Sequence, residues 1–325
     1  MSESALSGYP KGWFVVCFST DLPALGSRPL RYFGQDLVAF RGEDGAVRVL
    51  DAYCPHLGAH LGHGGKVVGD TLRCPFHAWR FGGDGACVEV PYAKKIPPGA
   101  RLRSWPVRER NGLVLLHHDA SLAEPSFEIP VIPEYGTEAW LPWSTFVYRV
   151  RTHPREIVDN LADKAHFPQV HRTEIDDFTF GVEGHLAWQK VKGRALLPDG
   201  SVDRFSSTTT YHGPGYLLMR MDGALQNYML VAHTPIDDKT LDLRLAVTLK
   251  IVGDRARTES YVDGYLANLK VGFEDDLRIW EHKIYKDPPA LCDGDGPIGK
   301  LRRWYRQFYA SSAAPAGVAE LPAEG

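Results

Sequence analysis

The residues with most chemistry to offer lie in two short stretches. The first reads Cys54-Pro55-His56, then 17 residues, then Cys74-Pro75-Phe76-His77. Thiolate sulfur and imidazole nitrogen are both soft enough for zinc or iron. A common structural zinc site pairs cysteine with cysteine and histidine with histidine. Here each pair is mixed, as Cys-x-His and Cys-x2-His. That suits a [2Fe–2S] cluster in which one iron takes Cys54 and Cys74 and the other takes His56 and His77. Replacing two thiolates by neutral ligands raises the potential of such a one-electron carrier. Zinc, or ordinary buried cysteines beside loop histidines, are the alternatives that the residue types admit. His60 and His63 share the first loop but fall off the pattern, and read as loop or surface residues. Cys17 and Cys87 read as buried strand residues, and Cys292 has no partner motif.

The second stretch is Asp159-Asn-Leu-Ala-Asp163-Lys-Ala-His166-Phe-Pro168-Gln-Val-His171. Asp163 and His166, three apart, would share one face of a helix. His166 and His171, five apart, would diverge on an unbroken helix. Pro168 is therefore expected to end the helix and let His171 swing back. Two histidines near a carboxylate, with positions left open, are the pattern of a non-heme Fe(II) oxygenase. A later helical pattern supplies the carboxylate. Counted from Phe273 at about 100° per residue, Leu277, Trp280 and Ile284 fall near +40°, −20° and +20° and form an apolar stripe. Asp276 falls beside the stripe at about −60°, and Asp275 points away at about 200°. A buried Asp276 must be paired or bound to a metal. The plainer alternative is two satisfied core histidines and a surface salt bridge. Asn160, one turn before Asp163, stands near the iron or serves as a cap or core hydrogen-bonder. Asp159 reads as solvated or structural.

These residues need elements to position them. Residues 12–120 read as short strands separated by Gly and Asp turns, an N-terminal antiparallel β domain. Its strand-like stretches are Trp13–Phe18, Leu30–Phe40, Val47–Asp51, Thr71–Arg73 and Leu113–His117. A connection bearing prolines, Pro125–Pro142, leads to residues 140–310. That region offers a strand at Trp143–Val150 and a helix at Arg155–His166. Four further strands follow, at Val202–Tyr211, Tyr216–Met221, Leu225–His233 and Leu241–Val252. Helices are expected at Ser260–Tyr285 and Lys300–Tyr309. Strands in a block with helices at both ends make a C-terminal α+β domain with an antiparallel sheet. Residues 311–325, rich in Ala and Pro, are expected to be disordered.

The bulk properties narrow the function. The 325 residues carry 37 basic and 40 acidic side chains, which excludes a broadly basic nucleic-acid binder. No apolar run approaches the ~20 residues of a transmembrane helix, so no transmembrane segment is expected. Met1–Pro10 shows no signal-peptide pattern. Five cysteines, an odd number in a long chain, suggest a reducing, cytoplasmic setting.

The first stretch resembles the Rieske [2Fe–2S] motif, Cys-x-His-x17-Cys-x2-His, in full. Respiratory Rieske proteins typically add a cysteine to each ligand loop, and these loops have none. The second stretch resembles the Asp-x2-His-x4-His motif of the Rieske non-heme iron oxygenases, with Asp276 at the distal aspartate. The resemblance runs from about Trp13 to Tyr309. It implies a [2Fe–2S] cluster, and a mononuclear Fe(II) on His166, His171 and Asp276 that activates O2. It implies a homotrimer in which Asp163 links the iron to His77 of the neighbouring subunit. The chain lacks a dinucleotide-binding glycine pattern and a plant-type ferredoxin cysteine run, so a separate NAD(P)H-dependent reductase, with or without a ferredoxin, must deliver electrons. Arg155–Asn160, Gly272–Asp276, Asp295-Gly296-Pro297, Leu301–Tyr309 and Val90–Ala93 resemble the 3-ketosteroid 9α-hydroxylase oxygenases. The likeness fades between about Thr173 and Val252, and Gln169 replaces an aromatic position. It implies a steroid, sterol or other bulky apolar substrate, hydroxylated, desaturated or oxidatively demethylated. A non-steroid substrate, or a Rieske electron carrier without oxygenase chemistry, is the alternative. Tyr216–Val231 reads as sheet core or as a pocket wall.

Overall fold

A computed structural model describes residues 8–196, 202–223 and 225–309. The expected tail, 311–325, lies outside the described residues. The N-terminal strands are β1 (Gly12–Phe18), β2 (Ser27–Tyr32), β3 (Gln35–Arg41), β4 (Val47–Asp51), β5 (Lys66–Val68) and β6 (Thr71–Arg73). They continue with β7 (Arg80–Phe81), β8 (Cys87–Glu89), β9 (Ser104–Trp105), β10 (Val107–Arg110) and β11 (Leu113–His118). All pair antiparallel, in the orders β1-β11-β10, β2-β3-β4-β9 and β5-β6-β7-β8. The single stretch expected over Leu30–Phe40 is two strands. Phe33 (φ 55°) and Gly34 (φ 71°) turn the chain in the left-handed region that a two-residue hairpin requires. Phe33 is buried, so the turn carries no polar signal in the sequence.

In the C-terminal region a seven-stranded antiparallel sheet is built from β12 (Ser144–Val150), β13 (Thr173–Glu183), β14 (Leu186–Leu196), β15 (Val202–His212), β16 (Tyr216–Asp222), β17 (Asn227–Pro235) and β18 (Leu241–Leu249). Its order is β12-β18-β17-β16-β15-β14-β13, a meander closed on one side by its first strand. The sequence reading missed β13 and β14. Their outward positions are charged, and β13 is an edge strand with only two buried residues.

The helices are α1 (Pro154–Val158), α2 (His166–Val170), α3 (Arg255–His282) and α4 (Ile298–Arg306). A 3-10 turn, Asp159–Leu161, extends α1. Asp254 caps α3, accepting from the Ala256 amide at 3.2 Å. Val262, Leu266, Leu277 and Trp280 lay one stripe of α3 on β17 and β18. Ile284, expected in that stripe, lies past the helix end and is exposed. No described helix is long and apolar enough to cross a membrane.

Strand β1 joins the two regions. All seven of its residues are buried, because both of its faces are covered. Phe14, Val16 and Cys17 enter the N-terminal core, whereas Trp13, Val15 and Phe18 meet Tyr216, Leu230 and Ala246 of the large sheet. A bulge between Val15 and Cys17 resets the alternation. Arg244 donates to the Val15 and Val16 carbonyls at 3.1 and 2.9 Å, and Thr234 donates to Val15 at 2.7 Å. The carbonyls at the bulge thus take their partners from the other region.

Candidate active site

The cluster candidates sit on two turns of the same construction. In the first, Cys54 N–H donates to the Ala59 carbonyl and Gly58 N–H to the Cys54 carbonyl, both at 2.9 Å. In the second, Cys74 N–H donates to Trp79 at 2.8 Å and Ala78 N–H to Cys74 at 3.2 Å. The fifth residue of each turn has positive φ: Gly58 at 73° and Ala78 at 60°. Histidine is the third residue of one turn and the fourth of the other. The rings nonetheless meet, with centroids 4.6 Å apart. Cys54 and Cys74 are buried behind them.

These turns fit an iron–sulfur cluster. His56 Nδ1 and His77 Nδ1 are both buried without a hydrogen-bond partner, a costly state that a metal bond would relieve. Burial pushes the Cys54 thiol up to about 11, so a thiolate there needs a nearby cation. Trp79 stacks on His56 at 4.7 Å and donates to Tyr92 Oη at 2.8 Å. Phe76, 3.8 Å from the His77 ring, and Tyr92, 6.5 and 6.4 Å from the His56 and His77 rings, are exposed beside the histidines, and Leu57, next in the chain after His56, is exposed too. Cys17 and Cys87 are buried, as expected, and Cys292 is exposed. His60 accepts from the Gly62 amide at 3.0 Å, a loop contact.

At the second site the chain breaks earlier than the sequence suggests. The helix does not run to Pro168; it yields after Leu161, and a new short helix opens at His166. Asp163 Oδ1 accepts from the Ala165 and His166 amides at 3.1 and 3.2 Å, in the manner of a cap. Pro168 lies in the first turn of α2, where its missing N–H costs nothing. Asp163 and His166 therefore meet across a capped bend, not along one helix face. His171 ends α2, and Arg172 (φ 52°) turns the chain into β13.

The expected partners converge here. His171 Nε2 lies 3.4 Å from Asp276 Oδ2, and the His166 and His171 ring centroids are 5.1 Å apart. Asp276 is 6 % exposed. Asp275 is half-exposed and pairs with Arg278, so the helix angle separates the buried carboxylate from the exposed one. Asn160 Nδ2 donates to Asp276 Oδ1 at 3.3 Å, and its oxygen accepts from Trp280 Nε1 at 3.3 Å. His166 Nδ1 faces the Asp163 carbonyl at 2.5 Å, which leaves Nε2 as the free donor atom. Burial, and then His171, hold His166 below the ordinary imidazole range, favouring the neutral form that binds a metal. Among the described residues no three His, Cys, Asp or Glu side chains form a closed ligand set. The cluster candidates divide two and two, and at the second site the His171–Asp276 contact holds one pair. Two nitrogens and a carboxylate oxygen fit Fe(II) by donor chemistry.

Asp159 is not solvated: it is buried and accepts from Arg302 Nε and Nη2 at 3.1 and 2.6 Å. Two polar residues escaped the sequence reading. Gln189 and Thr209 are cross-strand neighbours, in one row with Met219 and Met229. That row shares a face with Leu217 and Val231, which meet Phe273, Leu277 and Trp280 of α3. Gln189 Oε1 and Thr209 Oγ1 are buried without partners.

Comparison with known proteins places the chain. Residues 12–106 match the Rieske [2Fe–2S] domain, and residues 116–309 match the 3-ketosteroid 9alpha-hydroxylase C-terminal domain. A 3-ketosteroid-9-alpha-monooxygenase oxygenase component of Rhodococcus rhodochrous is 34% identical, over 95% of this chain and 83% of its own. That of Mycolicibacterium smegmatis is 35% identical, over 94% and 84%. Cholesterol 7-desaturase of Drosophila melanogaster is 30% identical, over 94% and 76%. The structure of dicamba monooxygenase bound to dicamba shares the fold, with TM-score 0.73 and 20% identity over 93% of this chain and 98% of that one. An oxygenase component draws its electrons from a separate reductase. The chain belongs to the Rieske non-heme iron oxygenases of the 3-ketosteroid 9α-hydroxylase family, an oxygenase component whose cofactors are a [2Fe–2S] cluster and a mononuclear Fe(II).

Proposed function

We propose that this protein is the terminal oxygenase of a multicomponent monooxygenase acting on a 3-ketosteroid or a closely related sterol. The reading assigns Cys54, His56, Cys74 and His77 to the cluster, within a Rieske unit of residues 12–120. It assigns His166, His171 and Asp276 to Fe(II), within a catalytic unit of residues 140–310. When bound, the cluster supplies electrons singly and the Fe(II) supplies the position at which O2 is activated. The observation that carries the assignment is the buried Asp276 carboxylate, 3.4 Å from His171 and hydrogen-bonded to Asn160.

The chain's own side chains have distinct tasks. The Asp163 carbonyl, accepting from His166 Nδ1, fixes the tautomer of that ring. Trp280 orients Asn160, and Asn160 orients the carboxylate. The row of Met219 and Met229 offers flexible apolar contact to a rigid ring system. Gln189 and Thr209 offer the few polar contacts that would orient its oxygen. The Asp163 side chain, 36% exposed, is placed to accept from His77 of a neighbouring copy in a head-to-tail homotrimer. A ferredoxin between reductase and oxygenase and a cytoplasmic location complete the proposal.

The test is a substrate screen with a surrogate reductase, read by mass spectrometry. The reading expects a 3-ketosteroid to gain one oxygen atom, with NADH oxidation coupled to product. Turnover of small aromatic acids with no turnover of any steroid would overturn the substrate class.

A further inference from the structure

We infer that Arg302, with Asp159 and Gly296, is a positioning device for the mononuclear iron site: a C-terminal clamp on the bend from which Asn160, Asp163 and His166 project. The inference rests on the ligand reading above. Asp159 and Asn160 are consecutive on one 3-10 turn and reach opposite ways. Asn160 turns to Asp276 and Trp280. Asp159 turns outward to Arg302, which grips both carboxylate oxygens, at 3.1 and 2.6 Å. The third guanidinium nitrogen donates to the Lys286 carbonyl at 2.6 Å. The Tyr285 ring lies against the guanidinium at 4.4 Å, with Arg155 4.1 Å from the same ring. Arg302 therefore has all three nitrogens and one flat face engaged.

The same C-terminal segment touches the bend a second time. A Cβ at Gly296 would overlap the Ala162 carbonyl and come within 3.2 Å of the Lys164 amide. Only glycine lets the backbone come this close. The bend needs such outside support. The next helix has only five residues, too few to be stable alone. The local contacts are the bonds from the Ala162 and Asp163 amides to the Asp159 carbonyl, at 3.0 and 3.2 Å, and those accepted by the Asp163 side chain. Position matters too: a shift of residues 159–161 would carry Asn160 off the iron carboxylate.

The charge pair is built for geometry. Its side chains are 13% and 11% exposed, and the bidentate fork fixes angle as well as distance. Arg306 on the same helix makes an ion pair that is 47% and 38% exposed with Asp287, a residue outside the bend, so it serves as the control.

The experiment measures Fe(II) affinity by chelator competition, on protein whose Rieske cluster is loaded and whose mononuclear iron has been removed. The electron paramagnetic resonance (EPR) spectrum of the Fe(II)–nitric oxide adduct is recorded alongside. Arg302→Lys keeps the charge and loses the fork. It should bind Fe(II) about tenfold more weakly, at the low end of what outer-shell changes cost, and alter the rhombicity of the nitrosyl signal. Gly296→Ala should do the same. Arg306→Gln should match the wild type, and the Rieske g-values should be unchanged throughout. Wild-type affinity and nitrosyl signal in Arg302→Lys would overturn the clamp, as would an equal loss in Arg306→Gln. Asp276→Ala separates the two readings. If it also binds Fe(II) like the wild type, the ligand assignment fails and takes the clamp with it. If it loses iron while Arg302→Lys does not, the clamp alone fails.

Discussion

The two candidate metal sites are built in opposite ways. The cluster candidates lie within 24 consecutive residues, on two turns closed by the same pair of backbone hydrogen bonds. The iron candidates come from a bend and from a helix more than 100 residues later, and meet only because the large sheet and α3 are in place. A local site depends on turn chemistry; a distributed site depends on the whole catalytic region. Damage far from the metal should therefore reach the second site and spare the first.

The largest separation is expected from Asp276→Ala. It removes the one buried carboxylate at the iron site, so oxygenation should fall below detection while the Rieske spectrum stays intact. The neighbouring Asp275→Ala touches an exposed ion pair and should change stability by less than ~0.5 kcal/mol. Metal analysis and activity on the two purified variants check this. A dead Asp275→Ala would mean that the wrong face of α3 was chosen.

A smaller effect is expected from Asp163→Asn, with both centres loaded and electron transfer between them slowed on the order of 100-fold. Single-turnover kinetics, following Rieske bleaching and product together, report it. Normal coupled oxidation in this variant would refute the bridging role, and a fully active monomer by light scattering would refute the route between subunits.

Acid should also divide the two regions. Burial holds His153 and His212 at about 4 and His233 at about 3, all in the catalytic region. In the N-terminal region burial holds His118 at about 4. These values lie below the unfolded one near 6.5. As pH falls below 6.5 the unfolded chain takes up protons that the folded chain refuses. Stability is then complete above pH 6.5 and declines toward pH 4, by up to about 1.4 kcal/mol per pH unit for each histidine. Hydrogen exchange at pH 5 should show β15 to β17 losing protection before β2 to β4. The reverse order would contradict it.

The same contrast explains what could be read from the sequence. Cys54 to His77 was legible because turns are short-range and the motif was complete. Asp276 was legible because α3 is one continuous helix, over which an angle per residue holds. The stretch from Asp159 to His171 misled for the converse reason. The break there comes from the Asp163 cap and from contacts with α4, and Pro168, a helix-ender by residue type, lies in the first turn of a new helix. Strands β13 and β14 stayed hidden because their faces are mixed, and Gln189 was hidden with them. Arg302 lies in a stretch, Leu301–Tyr309, that carries the family resemblance, but no spacing or periodicity marks its role, which exists only once α4 lies against Asp159.

One chain is proposed to carry two chemically different iron sites. Iron quantitation with EPR and Mössbauer spectroscopy on the purified protein tests this most directly. Three irons per chain are expected, two in a mixed-ligand cluster with a low average g-value when reduced, and one high-spin Fe(II). Asp276→Ala should retain the first two and lose the third. A cluster with all-cysteine character, or a third iron that survives in Asp276→Ala, would contradict the proposal.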